Sequence, residues 1–545
     1  MQGELRHDGS RFTSIYNRRK NYLRILMQQG RVQLDADWNE QVDTLLYHLQ
    51  TLTSDLVGPH GGPYKNVGFE IRNSQVPPPP PNAPAPEPLK LPNDFVIGSG
   101  HYYVDGILCT LDSIPVPLTI NKNDKFIPTW ATKNRVLKEN DCVRIFTGKT
   151  EPPAPYDLRI TNVVDNNNSE KDSQLTSIET DPSFSSTVDS TSTIYSLTTY
   201  RNQPYYKDVN PTIANGKHVV YLDVWERHVT SIEDADDRVP GIREVALGGA
   251  DTATRSQIVW QVKLLKLQST TSDASTFQNH EAFLKEIKDI SKPGQGHLIA
   301  RATKPDEGKN DPCLIAPESK YRGSENQLYR VEIFSISTTS NSISFVWSRE
   351  NSAVVFPVLS VGTSNNSTIV VLEHMGYDSR FSLSEGDFVE MVDDDYVWPE
   401  RTRQLLKVVK LDVQERQVWL SDSPVPLDTQ LNSHPYLRRW DSNVRTIPSG
   451  ADWIPLENGI EIKFDLNELK SYRVGDYWML PARTATGDVE WRGSKDNPIP
   501  LLPHGTTHHY APLAVIEVGD GSGNIKIVAD CRREFIKLWQ PVSTA

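Results

Sequence analysis

The feature that most constrains the fold is a repeated pattern of short apolar runs that begins near residue 67. Runs such as HVVYLDVW (218–225), QIVWQVKLL (257–265) and KVVKLDV (407–413) are rich in β-branched and aromatic residues, which favour strands. Clusters of Gly, Pro, Asn and Asp separate these runs, as is typical of antiparallel sheets. A chain of 545 residues is also too long for one ordinary core. We therefore predict a mainly β protein made of several small antiparallel β modules, barrel- or sandwich-like, in series.

An internal similarity supports the module prediction. EGDFVEMV (385–392) and VGDYWMLP (474–481) both place a Gly-Asp turn before an apolar strand, and ENDCVRIF (139–146) is a looser copy. A turn, a strand, a longer strand and another turn follow each other as in small closed barrels. The predicted divisions are a helical docking segment at 1–66, a β module at 67–215, a central antiparallel β domain at 216–360, a small barrel-like module at 361–430, and a C-terminal β domain at 431–545.

The N-terminal segment is predicted to contain two helices. The first covers RRKNYLRILMQQ (18–29) and ends at Gly30, after which Val32 and Leu34 alternate with polar residues and are expected to face a core. The second begins at Asp35 or Asp37 and ends at the Gly-Pro pair of residues 58 and 59. Asp37, with Glu40 three residues later, matches a capping box, in which two side chains satisfy backbone N–H groups.

The second helix has a broad apolar face. Its members recur at helical spacing and are Trp38, Val42, Leu45, Leu46, Leu49, Leu52 and Leu56. Such a face must be buried against something. It packs either on the chain's own first β module or on another subunit, and the sequence leaves both alternatives open. Under the second alternative, the docking residues are Trp38, Val42, Leu45, Leu49 and Leu52.

Two segments of the 67–215 module have biased composition. The run VPPPPPNAPAPEP (76–88) predicts an exposed polyproline-like loop, which acts as a stiff spacer or, less often, as a ligand for an aromatic groove. Residues 165–200 are rich in Ser, Thr and Asn, and are predicted to form a long surface loop or a weakly ordered insertion.

Charge and cysteine content restrict the partners and the compartment. The formal net charge of −13 argues against nucleic acid, because phosphate binding requires a basic surface. Four scattered cysteines form no C-x-x-C pair, which favours synthesis in a reducing cytoplasm. The first residues contain no apolar signal-peptide core, and no apolar run approaches the ~18 residues of a membrane span. We expect neither a signal peptide nor a transmembrane segment.

Candidates for chemistry are few. His504, His508 and His509 in PHGTTHHY are the best metal candidates, although the surrounding Pro and Gly indicate a loop and favour a structural histidine cluster. The acidic runs at 393–395 and 234–237 do not follow the alternating pattern of a calcium loop. Nucleophile motifs and phosphate-binding glycine loops are missing from the sequence. We therefore predict no enzyme activity, no cofactor and no bound metal; only stoichiometric zinc or calcium would favour a metal-dependent hydrolase.

Several motifs resemble a known family in order along almost the whole chain. They include MQQGRVQLDADWNEQ (27–41), GSGHYYVDGILC (98–109), GDYWMLPART (475–484) and PHGTTHHYAPLAVI (503–516). Together they resemble a bacterial family of unknown function whose members occur with phage-tail-like contractile injection systems. The N-terminal corner is similar to the start of several phage baseplate and tail-fibre proteins. No catalytic residues can be carried over from this family.

The resemblance implies a non-enzymatic structural subunit of such a particle: a baseplate-associated, fibre or cap component. Its partners would be other subunits, further copies of the same chain, and a cell-surface glycan if the exposed loops bind sugar. The alternative is a glycan-binding or glycan-cleaving module on the same kind of particle, for which Trp478, His509 and Tyr510 are the candidates. In both cases assembly in the cytoplasm is expected, with later release from the cell left open.

Overall fold

The computed structural model gives the backbone for most of the chain. The described residues are 21–64, 66–73, 91–112, 115–120, 126–128, 142–146, 155–165, 176–181, 193–205, 212–234, 241–267, 277, 279–288, 294–303, 320–337, 342–364, 367–376, 378–393, 403–422, 434–448, 450, 452–465, 472–494, 497–519 and 524–536. The proline run at 76–88 lies outside them, so its prediction stays untested.

The described part of the chain is mainly β, as the sequence predicts for the fold class, and it also contains two α-helices. Helix α1 covers Asp35–Val57 and helix α2 covers His280–Glu286, with a 3₁₀ turn at Val245–Leu247. Asn279 caps α2, because its side-chain oxygen accepts hydrogen bonds from the backbone N–H groups of Glu281 and Ala282. Neither helix among the described residues is long and apolar enough to cross a membrane.

Thirty strands are described. In the first part of the chain they are β1 (His60–Pro63), β2 (Ile71–Arg72), β3 (Val96–Ile97), β4 (Gly100–Val104), β5 (Ile107–Leu111), β6 (Pro115–Ile120), β7 (Phe126–Pro128), β8 (Cys142–Phe146), β9 (Pro155–Asp165), β10 (Thr176–Asp181), β11 (Thr193–Thr199), β12 (Gly216–Val229), β13 (Arg255–Lys266) and β14 (Leu298–Ala302).

The remaining strands follow residue 326. They are β15 (Gln327–Ser337), β16 (Ser342–Ser348), β17 (Val355–Ser364), β18 (Ser367–Leu372), β19 (Phe388–Val392), β20 (Leu405–Asp412), β21 (Gln417–Leu420), β22 (Tyr436–Trp440), β23 (Arg445–Thr446), β24 (Ile454–Pro455), β25 (Ile460–Phe464), β26 (Tyr477–Arg483), β27 (Asp488–Val489), β28 (His508–Val518), β29 (Ile525–Asp530) and β30 (Glu534–Phe535).

The chain divides into two compact units, and each is built from separate stretches of sequence. Unit 1 comprises Met1–Gln41, Arg227–Gln257 and Pro293–Thr507, and unit 2 comprises Val42–Glu226, Ile258–Lys292 and His508–Ala545. Distant segments pair within one sheet: β12 is antiparallel to β28, and β15 is antiparallel to β26. The segments predicted as a central domain at 216–360 and a C-terminal domain at 431–545 therefore share sheets instead of folding separately.

Unit 1 contains three β structures. They are a three-stranded sheet in the order β14-β25-β24, a five-stranded sheet in the order β23-β16-β15-β26-β27, and a closed barrel in the order β17-β18-β21-β20-β19-β22. The barrel agrees with the module predicted at 361–430, but its strands extend from residue 355 to residue 440. Its core includes Phe356, Val389 and Leu437, all of which are fully buried. The Gly-Asp turns before β19 and β26 each have a glycine at positive φ, Gly386 and Gly475.

Unit 2 also contains three β structures. Its sheets have the orders β30-β1-β4-β5, β13-β12-β28-β29 and β2-β3-β11-β6-β7-β10-β9-β8. The turn between β4 and β5 is the predicted Asp-Gly hairpin: Asp105 has φ 48° and Gly106 has φ 81°, as a two-residue turn of this type requires. A side chain at Gly106 would also collide with the carbonyl oxygen of Gln50, so α1 approaches this turn closely.

Three local predictions are wrong. Residues 22–28 are not helical; the backbone N–H of Ile25 instead donates to the Gln41 side-chain oxygen at 2.8 Å. Val32 and Leu34 are exposed and do not face a core. Helix α1 begins at Asp35, so Asp37 lies inside the first turn, where its backbone N–H donates to the Leu34 carbonyl. Asp37 is therefore not the capping residue.

The 165–200 segment also differs from its prediction as a loop or insertion. Its TSIETD and TIYSLTT runs form β10 and β11, which pair with neighbours in the eight-stranded sheet. Both runs contain β-branched Thr and Ile, whose strand preference outweighs the polar composition of the segment as a whole.

Candidate functional site

Helix α1 presents an exposed apolar face. We call Trp38, Val42, Leu45, Leu49, Leu52 and Leu56 the apolar stripe; each of these side chains is between 44% and 68% exposed. Leu46, beside the stripe, is also exposed. A helix of a globular protein normally turns such a face toward its core. The residues that the sequence assigned to docking are therefore all accessible in the single chain.

The opposite face of α1 is polar and is turned inward. Thr44 is 1% exposed and Glu40 is 6% exposed. The other side chains of α1 described as half-buried are Asp37, Asn39, Gln41, Asp43, Gln50, Thr53, Ser54 and Val57. Among all of these only Val57 is apolar. The amphipathic helix is thus inverted: its polar face covers the chain's own fold and its apolar face meets solvent.

The segment before α1 extends the apolar surface. Leu23, Leu26, Met27 and Val32 are exposed, and residues 22–28 have no regular secondary structure. Large apolar side chains are common singly on protein surfaces, but a contiguous exposed patch marks an interaction site. Residues 21–57 contain more exposed large apolar side chains than any other described stretch of similar length.

A polar cluster in unit 2 connects β12, β13 and β28, which are neighbours in one sheet. Asp223 is buried; its Oδ1 lies 2.6 Å from His508 Nδ1 and its Oδ2 accepts a 2.6 Å hydrogen bond from Lys263 Nζ. Burial alone would raise the pKa of Asp223, but the His508 hydrogen bond and the Lys263 charge outweigh it and lower that pKa. The His508 ring also packs on Trp225, with centroids 4.9 Å apart. The Asp223–Lys263 salt bridge and the His508 contact together join three strands.

The other candidate histidines have separate partners. His509 Nδ1 lies 2.8 Å from Asp105 Oδ2, so this pair links β28 to the hairpin turn in unit 2. His504 belongs to unit 1, where its backbone pairs with Tyr477 and the two rings are 5.8 Å apart. In the described ranges no group of three or more His, Cys, Asp or Glu residues is arranged to hold a metal ion.

The aromatic candidates for sugar recognition are core residues. Trp478 is fully buried on β26, and its indole N–H donates to the Leu501 carbonyl at 2.9 Å. Tyr510 is also buried, with its ring 6.2 Å from that of Tyr221. Neither ring offers a face to a ligand in the chain as it stands, because both pack among other side chains. His509 is partly exposed, and ligand recognition by these three residues stays a prediction.

A second buried charge network lies in unit 1. Glu332 on β15 accepts hydrogen bonds of 2.7 Å from Arg330 and from Arg403. Arg403 also binds both oxygens of Glu390, which in turn accepts the indole N–H of Trp440. Burial alone would raise the pKa of Glu332, but Arg330 and Arg403 lower it to about 2. These opposite charges satisfy each other inside the fold, as a structural network does.

A model of one protein family matches most of the chain, at residues 5–124, 208–304 and 295–539. It is described as a family of unknown function (DUF6519). The chain belongs to this family. Comparisons with curated proteins and with solved structures found no match. The matched ranges include α1 with its apolar stripe and also β12, β13 and β28 of the Asp223 cluster; β7 to β11 lie outside them.

Sequence reasoning missed the Asp223 and Glu332 networks, although a local signal for both exists. Asp223 interrupts an otherwise continuous apolar run, VVYLDVW, and Glu332 follows Arg330 by two residues in YRVEIF. A charged residue inside such a strand is buried only when a partner satisfies it. Arg330 lies in the same run as Glu332, but Lys263 and Arg403 are far away in sequence, so the runs do not identify these two partners.

Proposed function

We propose that this chain is a non-enzymatic structural subunit of a phage-tail-like contractile injection particle, into which it docks by the apolar stripe of α1. The observation that carries the proposal is the inverted helix. The apolar stripe has no cover in the described part of the single chain, whereas the polar face of α1 is buried. Exposed apolar surface of this kind lowers its free energy by association, because it leaves water when a partner covers it.

The sequence resemblance supports the choice of particle. The corner at 27–41, which resembles the start of baseplate and tail-fibre proteins, leads directly into α1. In such a particle the chain would be a baseplate-associated, fibre or cap component assembled in the cytoplasm. The paired charges of the Asp223 and Glu332 networks are consistent with a structural role, since their members hold strands together.

We favour this function over a glycan-binding or glycan-cleaving module. Sugar recognition requires accessible aromatic faces with polar groups beside them. The rings of Trp478 and Tyr510 are buried, so the candidates identified from the sequence do not supply such a face. A glycan array with the purified chain separates the two functions: strong binding that His509→Ala abolishes would favour recognition, and absence of binding agrees with the structural proposal.

Incorporation into particles tests the proposal. Cells would produce the full chain as wild type, as the double variant Leu49→Glu/Leu52→Glu, or as the control Thr51→Glu. All three positions are exposed on α1, but Thr51 lies outside the apolar stripe. We expect the wild type and the control to sediment with purified particles and the double variant to remain free. Equal incorporation of all three chains would refute docking by the stripe.

A further inference from the structure

The spacing of the apolar stripe carries information about its partner. Successive members of the stripe are separated by four, three, four, three and four residues, from Trp38 to Leu56. This is a heptad pattern with Val42, Leu49 and Leu56 at position a, and Trp38, Leu45 and Leu52 at position d. A repeat of 3.5 residues keeps a seam facing another helix of the same kind along a supercoil. The seam runs from Trp38 to Leu56, ~27 Å at 1.5 Å per residue.

The residues that flank the seam are suited to a second copy of the same helix. Positions e and g hold Asn39, Gln41, Leu46, His48 and Thr53, together with Asp55 near the end of the helix. Like charges at facing e and g positions oppose the pairing of identical helices. Here the parallel pairs, Gln41 with Leu46 and His48 with Thr53, bring no like charges together.

The position of α1 on its own fold leaves this seam free. Contact with the chain uses the polar positions between the heptad residues, such as Thr44 at position c and Gln50 at position b. Positions a and d are exposed throughout. Asn39, Gln41 and Thr53, at positions e and g, are half-buried on the same fold. The exposed positions a and d can therefore pair with another helix that approaches along the seam.

We propose that the apolar stripe is the seam of a coiled coil formed between copies of this chain. This inference rests on the proposed function in one respect: it identifies a second copy of the chain as the partner that covers the docking surface. Leu46 at position e widens the seam to one side, and the exposed Leu23, Leu26 and Met27 of the preceding segment add further apolar surface. The subunit thus enters its particle as an oligomer whose helices are bundled at the N-terminal end of the chain.

The mass of the full chain in solution tests the proposal. Sedimentation equilibrium, over a tenfold range of concentration, should give an integral multiple of the 61.5 kDa chain for the wild type. Leu49→Glu/Leu52→Glu should give the monomer mass, and Thr51→Glu should keep the wild-type mass. Circular dichroism of all three chains checks that they are folded. Because the altered side chains are exposed in the single chain, the double variant should keep its β spectrum.

Two results would overturn the proposal: a wild-type chain that is monomeric at every concentration, or an oligomer that persists in the folded double variant. Particle incorporation measured with the same chains separates this inference from the proposed function. A monomeric wild type that still enters particles through the stripe contradicts self-association alone. If the wild type is an oligomer, the double variant is not, and particles never contain the chain, then only the proposed function is contradicted.

Discussion

Replacing Leu52 by Gln should leave the stability of the dissociated chain almost unchanged. Leu52 is 56% exposed, so folding has removed less than half of its side chain from water. Complete burial of a leucine contributes ~1.5–3 kcal/mol, so the buried part contributes about 1 kcal/mol or less. Gln has nearly the same helix propensity as Leu, and its methylene groups keep some of the contact. We expect a loss of unfolding free energy of about 0.5 kcal/mol.

The matched comparison is Leu513→Ala in the same unit. Leu513 is fully buried in the core of unit 2, and a substitution of this kind typically costs about 2–5 kcal/mol through lost contacts and the remaining cavity. Urea unfolding monitored by circular dichroism measures both variants against the wild type. The protein should be diluted until the wild-type transition no longer depends on concentration, because association stabilises the folded state by mass action.

The result that refutes the reasoning is a large effect of Leu52→Gln under dissociating conditions. A loss of more than about 2 kcal/mol would place Leu52 in the range of buried leucines. The stripe would then be covered by the chain itself, and the inverted helix would not be available for docking. At high concentration we expect the wild type to gain stability from association and the Gln variant to gain less.

The remaining predictions concern the buried charges of unit 1. Glu332→Gln removes the negative charge between Arg330 and Arg403, and should lower the free energy of unfolding by about 3–5 kcal/mol. The control is Glu385→Gln, at an exposed position. Equal unfolding midpoints of the two variants in urea would contradict the role of Glu332. Burial raises the pKa of Asp476 from 3.8 to about 6, so the folded state binds a proton more tightly than the unfolded state. Stability from this group is complete below pH 4 and is lost as the pH rises through 6, by up to about 3 kcal/mol. Asp476→Asn should therefore be more stable than wild type at pH 8 and closer to it at pH 4, as thermal unfolding across this range can measure; a difference independent of pH would rule out this titration.

The turns and the end of α1 were predictable because the backbone preferences of a few adjacent residues determine them. The Asp105-Gly106 turn has positive φ at both residues, and few residue pairs other than Asn-Gly and Asp-Gly accept that geometry. Helix α1 ends at Gly58, whose φ of 86° is the usual helix terminator. The strands after the Gly-Asp turns were predictable for the same reason, since turn and apolar run lie within a few residues of each other.

Long-range pairing was not predictable from these patterns. Strand β12 pairs with β28, which lies almost 300 residues later, and periodicity along one strand does not identify its neighbour. The orientation of α1 was equally open, because amphipathic spacing shows that a helix has an apolar face but not which way that face points. Burial of Thr44 beside an exposed Leu45 determines the orientation. The burial of Trp478 was not predictable, since an aromatic residue on a strand can belong to a core or to a binding surface.

The most direct test of the central claim is the protein composition of purified particles. Particles would be isolated on a density gradient from producing cells and from a strain that lacks the gene, and then quantified by mass spectrometry. The account predicts a fixed ratio of this chain to the sheath and tube subunits in every particle fraction. Particles that contain no copy of the chain, while the chain stays at the top of the gradient, would contradict it.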